Sequence, residues 1–252
     1  MFTASIFYFD TTYSQKTSRR VLGVLEKYDM FPPKKIYADK LTNNRYMLSD
    51  ENTRDLFVNA YAATDVFQIG MSNGDGISDS EFWKVDWQFT FLKRSNRDHT
   101  STFKPWNILS IKTTHGRMTD VKAYKAYLQC VNELIDIIHP FYASIEDQGN
   151  WVQLMHNKHR FTPGKVRELF WGNYWGYDYC NKFGMEQILN IPSDNIYKVS
   201  DGVFFTLTDH ITSCYSRKAN KKRKEIKRYL KAHKIPIGTG LRERLTWFRG
   251  TG

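Results

Sequence analysis

The sequence predicts an α+β fold: a largely antiparallel sheet with helices packed mainly on one face, plus a basic C-terminal helix. Three observations carry that expectation. Trp83, Val85, Trp87, Phe89 and Phe91 alternate with Lys84, Asp86, Gln88 and Thr90, which puts the apolar side chains on one side of a strand and the polar groups on the other. A sheet covered on one face is usually antiparallel. Residues 120–138 carry Tyr124, Tyr127, Leu128, Val131, Leu134, Ile135 and Ile138 at helical spacing, a stripe broad enough to cover such a face. Strands and helices then follow one another without the regular alternation that builds parallel sheets.

In order along the chain, residues 5–10 read as a first strand and 14–28 as a helix with Val21, Leu22, Val24, Leu25 and Tyr28 on one side. Phe31-Pro32-Pro33 ends that helix, because proline has no amide donor and restricts its predecessor. Residues 35–41 read as a strand and Asn43-Asn44 as a turn. Ser49 is the expected cap of a helix over 51–63, whose Leu56, Phe57, Ala60 and Tyr61 face one way. A strand over 66–71 and a loop over 72–76 lead to the alternating strand at 83–91. A polar connector at 94–104 precedes a strand at 108–113. His139-Pro140 closes the long helix, and 141–145 returns along it as a strand. Short helices at 179–183 and 185–189 are divided by Gly184, and strands at 196–199 and 203–208 flank the hairpin signal Ser200-Asp201-Gly202. Residues 218–233 read as a strongly basic helix.

One stretch stands apart from this succession. Between Phe170 and Tyr179 lie six aromatics, Phe170, Trp171, Tyr174, Trp175, Tyr177 and Tyr179, broken by Gly172 and Gly176. Rings bury large apolar areas and gain further from edge or offset contacts. The glycines suggest turns through positive φ, and Asp178 is placed to cap a helix beginning at Tyr179. The expected result is a strand end, a tight corner and a helix start, clamped by rings.

Composition narrows the function. With 41% hydrophobic and 15% aromatic residues in 252, the chain can bury a sizeable core and is not a disordered segment. No apolar run approaches the roughly 20 residues of a membrane span. The first residues, Met1 to Asp10, carry no basic segment and do not read as a signal peptide. Cys130, Cys180 and Cys214 are an odd, scattered set without a C-x-x-C pair, which suggests reduced thiols and a cytoplasmic protein. The net charge is +11, yet thirteen of the 37 basic residues and two of the 26 acidic ones lie from Arg217 onward, leaving 24 of each before it. The organisation expected is therefore a neutral body over 1–216, with a candidate junction between two subdomains near 94–119, and a basic helix and tail over 217–252.

Signatures of catalysis are sparse. No phosphate-binding glycine loop, nucleophile elbow or H-E-x-x-H zinc helix occurs. Asn73-Gly74-Asp75-Gly76 imitates part of a calcium loop, but its frame puts Met71 and Phe82 at ligand positions, and neither supplies oxygen. His156 and His159 share a helical spacing but are surrounded by Lys158 and Arg160, whose charge opposes a metal. His115 has no sequence-local carboxylate or nucleophile beside it. The reading is of a protein without metal, cofactor or catalytic residues, acting by binding.

At Trp171-Gly172-Asn173-Tyr174-Trp175-Gly176 the chain resembles bacterial immunity proteins of polymorphic-toxin systems, cytoplasmic α+β proteins encoded beside toxins delivered into competing cells. The resemblance continues through Gly184, Leu189, Pro192 and Asp201-Gly202, extends back to Pro140-Phe141-Tyr142, and spans roughly residues 120–207. Trp175, where phenylalanine is commoner, and the long basic tail depart from that pattern. It implies a non-enzymatic protein that neutralises a cognate toxin by forming a complex. Trp171, Asn173, Tyr174 and Trp175 are then the candidate partner-binding residues. Lys221, Lys222, Arg223, Lys224, Lys227, Arg228 and Lys231 form a candidate basic patch for an acidic toxin surface. The alternative is a nucleic-acid-associated accessory protein, in phage defence or on a mobile element, holding phosphates through the same basic helix.

Overall fold

Edge-to-edge hydrogen bonding links ten strands into one sheet in the computed structural model of the chain, which describes residues 1–9, 14–40, 45–47, 52–63, 65–73, 87–93, 106–149, 166 and 168–237. The elements are β1 (Phe2–Phe9), α1 (Gln15–Lys27), β2 (Lys35–Lys40), β3 (Arg45–Met47), α2 (Thr53–Ala62), β4 (Val66–Ser72) and β5 (Trp87–Leu92). They continue with β6 (Trp106–Thr113), α3 (His115–Thr119), α4 (Val121–Ile138), β7 (Tyr142–Asp147), β8 (Gly172–Trp175), α5 (Tyr177–Phe183) and α6 (Met185–Leu189). β9 (Asn195–Val199), β10 (Gly202–Thr206), a 3-10 turn at Ile211–Ser213 and α7 (Arg217–Ala232) follow. The strand order is β3-β2-β4-β5-β6-β1-β7-β8-β10-β9, and every pairing in it is antiparallel. The fold is α+β, as the alternation predicts.

β1 lies between β6 and β7, with Ile6 opposite Leu109 and Ala143. Paired residues point the same way, so Ala4, Ile6, Leu109, Ile111, Phe89, Phe91, Ala143 and Ile145 share one face. Helices α1, α2 and α4 cover it. Asp120 caps α4 by accepting the Ala123 amide at 2.7 Å, and His139 ends it in the left-handed region with φ 47°. The predicted stripe is buried apart from half-exposed Leu128, and the Tyr127 hydroxyl donates to the Ile111 carbonyl at 3.1 Å. Ser14 caps α1 through the Thr17 amide. In α2 the cap is Asn52, not Ser49, which lies outside the described residues; the helix begins at Thr53 because the Asn52 side chain accepts the Asp55 amide.

The aromatic corner folds as a strand and a helix start, with two corrections. Gly172 and Gly176 do not turn through positive φ; Gly184, at φ 85°, is the glycine that does so among the described residues. Gly176 is needed for space instead, since a Cβ there would stand 2.3 Å from the Pro140 carbonyl oxygen. Nor does Asp178 cap a helix from Tyr179: α5 begins at Tyr177 with Gly176 as its cap, and Asp178 occupies its first turn. Trp175 shares its sheet face with Tyr142 and Val203, opposite to that of α4, and stacks on Tyr179 of α5 at 5.7 Å. Helices α5, α6 and α7 thus cover the second face at the β7–β9 end. Cross-strand bonding runs from β5 through β6 and β1 to β7, while residues 94–105 of the expected junction lie outside the described residues.

Candidate partner-binding surface

The four residues expected to meet a partner at the corner are interior. Trp171, Asn173, Tyr174 and Trp175 have 0% exposure. Each is committed inside the fold. The Trp171 indole N–H donates to Thr208 Oγ1 at 2.8 Å, and the Tyr174 hydroxyl donates to Asp201 Oδ1 at 2.8 Å. Asn173 accepts the Phe170 amide and donates back to the Phe170 carbonyl, closing the backbone turn that precedes β8. Trp175 packs between Tyr179 and Phe205. Apolar rings spaced on a short strand are drawn inward by the area they remove from water, so a partner surface must be sought elsewhere.

The basic helix α7 supplies one, but with only part of its charge. Ser216 caps it through the Ala219 amide at 3.1 Å. Ala219, Ile226 and Leu230 have 0% exposure and seat the helix on the body. Burial of Ile226 and of Leu230 stabilises this docking by about 1.5–3 kcal/mol each. The cations beside that stripe turn to acids of the body. Arg223 Nη2 lies 3.5 Å from Glu146, whose side chain has no exposed surface, and Lys227 Nζ lies 2.6 Å from Glu168. Lys222 and Lys218 reach Asp194 at 3.5 and 2.6 Å. Arg223 also donates to the Leu169 carbonyl and to Asn220 Oδ1, and the Tyr229 hydroxyl donates to the Gln187 carbonyl of α6.

The remaining cations stand opposite. A helix turns by about 100° per residue, so Arg217, Lys221, Lys224, Arg228 and Lys231 fall within an arc of about 80° on the side away from Ile226. All five are exposed, and at about 1.5 Å per residue they form a ridge about 21 Å long. Of the seven residues expected in the basic patch, Lys221, Lys224, Arg228 and Lys231 are on this ridge, whereas Lys222, Arg223 and Lys227 anchor the helix. Acids run along one flank: Asp209 beside Lys218, Glu225 beside Lys222, and exposed Glu186 next to Gln187.

A second polar cluster lies where β7 ends. Asp147 accepts hydrogen bonds from the Tyr215 hydroxyl and the Gly149 amide, and His115 Nε2 stands 3.2 Å away. Burial opposes its ionisation, but the Tyr215 bond, the charge of the N-terminal amine and the His115 bond outweigh it and hold the carboxyl below its usual range. Burial, with Glu146 and Asp147 nearby, pushes the Cys214 thiol up to about 12. Cys214 is therefore a thiol at neutral pH and a poor nucleophile. His156, His159 and residues 74–82 of the imitation calcium loop fall outside the described residues. Among the described residues, no group of three His, Cys, Asp or Glu side chains is placed to hold a metal ion, and no helix is long and apolar enough to cross a membrane.

Sequence reasoning missed Glu146, Glu168 and Asp194 as the counter-charges of the helix. They precede it by tens of residues and carry no local pattern. The helix itself did hold the clue: Lys222, Arg223 and Lys227 flank the Ala219–Ile226–Leu230 stripe, while the other cations oppose it.

The fold has a known counterpart. Pseudomonas aeruginosa T6SS protein PA0821 superposes with a TM-score of 0.61 at 12% sequence identity, over 89% of this chain and 72% of that one. At that identity the likeness is one of fold. No protein-family model matches the chain, and no curated protein sequence matches it.

Proposed function

We propose that this protein is a non-enzymatic, cytoplasmic immunity-type protein that neutralises a cognate bacterial toxin by binding it. The observation that carries the reading is α7: a helix locked to the sheet by buried side chains and ion pairs, which holds five cations outward on a rigid support. Preformed charged surfaces favour fast and selective association between proteins. The resemblance around Trp171–Gly176 and the fold in common with a T6SS protein support the same direction. Expressing the protein together with the toxin encoded by the neighbouring gene tests it. Growth should be restored and the two should elute as one complex; continued killing despite soluble protein rejects the reading.

Nucleic-acid binding is the second reading, favoured by the same row of cations. It is the weaker one, because three of the seven cations first assigned to it are already paired with acids and acids flank the rest.

A further inference from the structure

We infer that the outer ridge of α7 is the face that meets the toxin, and that the toxin surface it meets is acidic. The inference rests on the toxin-binding reading above and adds to it the location and the sign of the contact. Charge on the rest of the molecule is balanced: 24 basic and 24 acidic residues precede Arg217. The net positive charge therefore comes from the C-terminal segment. Arg217, Lys221, Lys224, Arg228 and Lys231 are exposed, and none of them forms an ion pair with another described residue. Their stems rise from a helix whose opposite side is immobilised by Ile226, Leu230 and the Arg223 and Lys227 ion pairs, so little backbone ordering remains to be lost on binding.

Beside the first turn of α7 stands Tyr215, 55% exposed, its hydroxyl tied to Asp147. Tyrosine and arginine are the side chains most often found as anchors at protein interfaces, and here Tyr215 lies next to Arg217. The flank decides the class of partner. Asp209 and Glu225 lie along one side of the ridge, paired with Lys218 and Lys222, so the positive band is bordered there by a row of both signs. A phosphate backbone, negative along its whole length, offers nothing to the acids of that border. A protein surface with an acidic patch edged by basic groups complements both bands and is fixed in orientation by them.

The test uses the full chain. Four ridge cations are neutralised together, as Lys221→Gln, Lys224→Gln, Arg228→Gln and Lys231→Gln. A control chain with the same net charge carries Lys16→Gln, Arg19→Gln, Lys122→Gln and Lys125→Gln, all exposed on α1 and α4. Association with a catalytically disabled form of the neighbouring gene's toxin is measured at low and at physiological ionic strength, beside a short duplex DNA as a second probe. Thermal melting of both variants should match the parent. The ridge variant should associate about tenfold more slowly or worse and lose most of its salt dependence, with the control close to the parent. A ridge variant that binds like the control places the contact elsewhere and overturns this inference while leaving the toxin reading intact. Failure of the parent chain to bind the toxin overturns the reading itself. Ridge-dependent DNA binding at physiological ionic strength, tighter than toxin binding, assigns the ridge to phosphate and overturns the acidic-protein partner.

Discussion

Glu146 and Arg223 join the sheet to the basic helix, and separating them should show how much of the molecule depends on that join. The two carboxylate oxygens of Glu146 accept the Asp147 and Trp171 amides, each at 3.0 Å, and Arg223 Nη2 stands 3.5 Å from one of them. Arg223→Met takes away the cation that α7 places beside this buried carboxylate. Breaking a buried pair from one side costs about 3–5 kcal/mol. Arg223 retains 15% exposure and its contact is long, so the expected loss is at the low end, about 3 kcal/mol. Glu146→Gln keeps the shape but turns an NH2 group toward one of the two backbone amides, a loss of about 1.5–3 kcal/mol. With both changes the charge that Arg223 faces is gone as well, so the double variant should fall short of the summed losses by about 1–3 kcal/mol. Urea unfolding followed by circular dichroism, with the slope unchanged, gives each value. Strict additivity, or an Arg223→Met chain as stable as the parent, would refute the pairing as a source of stability.

Four further outcomes follow from the structure. Gly202→Ala sets a Cβ 2.4 Å from the Trp175 carbonyl oxygen and should destabilise by about 1–3 kcal/mol, whereas Gly23→Ala in α1 meets nothing within 4 Å and should stabilise by about 0.5–1 kcal/mol; thermal melts separate the two. Because Asp147 has its pKa lowered by folding, its contribution is complete above the ordinary value of 3.8 and disappears as pH falls through the folded value. Asp147→Asn should therefore flatten part of the acid limb of a stability–pH profile, and an unchanged limb would contradict that origin. Lys93, with 0% exposure, donates to the Ala60 and Ala63 carbonyls at the end of α2 at 3.2 and 2.8 Å. Lys93→Met should cost about 2–4 kcal/mol and raise amide exchange in the last turn of α2. Cys130, Cys180 and Cys214 are buried, and burial pushes their thiols up to about 12, about 11 and about 12. Alkylation should proceed only as fast as the chain opens, and rapid labelling of the native protein would contradict their placement.

Where the sequence could be read, the signal was periodic and local. The alternation around Trp87, Phe89 and Phe91 marks β5, although the strand is described only from Trp87, and the stripe from Tyr124 to Ile138 marks α4. The Asp201-Gly202 step lies at the β9–β10 hairpin, where Ser200 takes φ 52° and Gly202 pairs with Val199. Whether the Trp171–Trp175 segment packs or meets a partner was not legible, because aromatics dense enough to suggest recognition are equally dense in a packed corner. Strand order was equally hidden: nothing near Phe2–Phe9 announces partners at Trp106–Thr113 and Tyr142–Asp147. The basic patch was found as a composition, although its division follows from the Ala219–Ile226–Leu230 stripe. What stayed hidden was the acid that Arg223 meets, since Glu146 belongs to another element.

The position of β1 also bears on how the chain comes to be folded during synthesis. It leaves the ribosome well before either of the strands that flank it, β6 and β7, has been translated. Until Thr113 has emerged, both backbone edges of this apolar segment lack their native neighbours; the β7 edge stays open until Asp147, and α1 cannot complete its packing against α4 before Ile138. The nascent chain must carry a sticky ribbon for much of its synthesis, so its yield should depend on chaperone capacity more than the finished protein's stability would suggest.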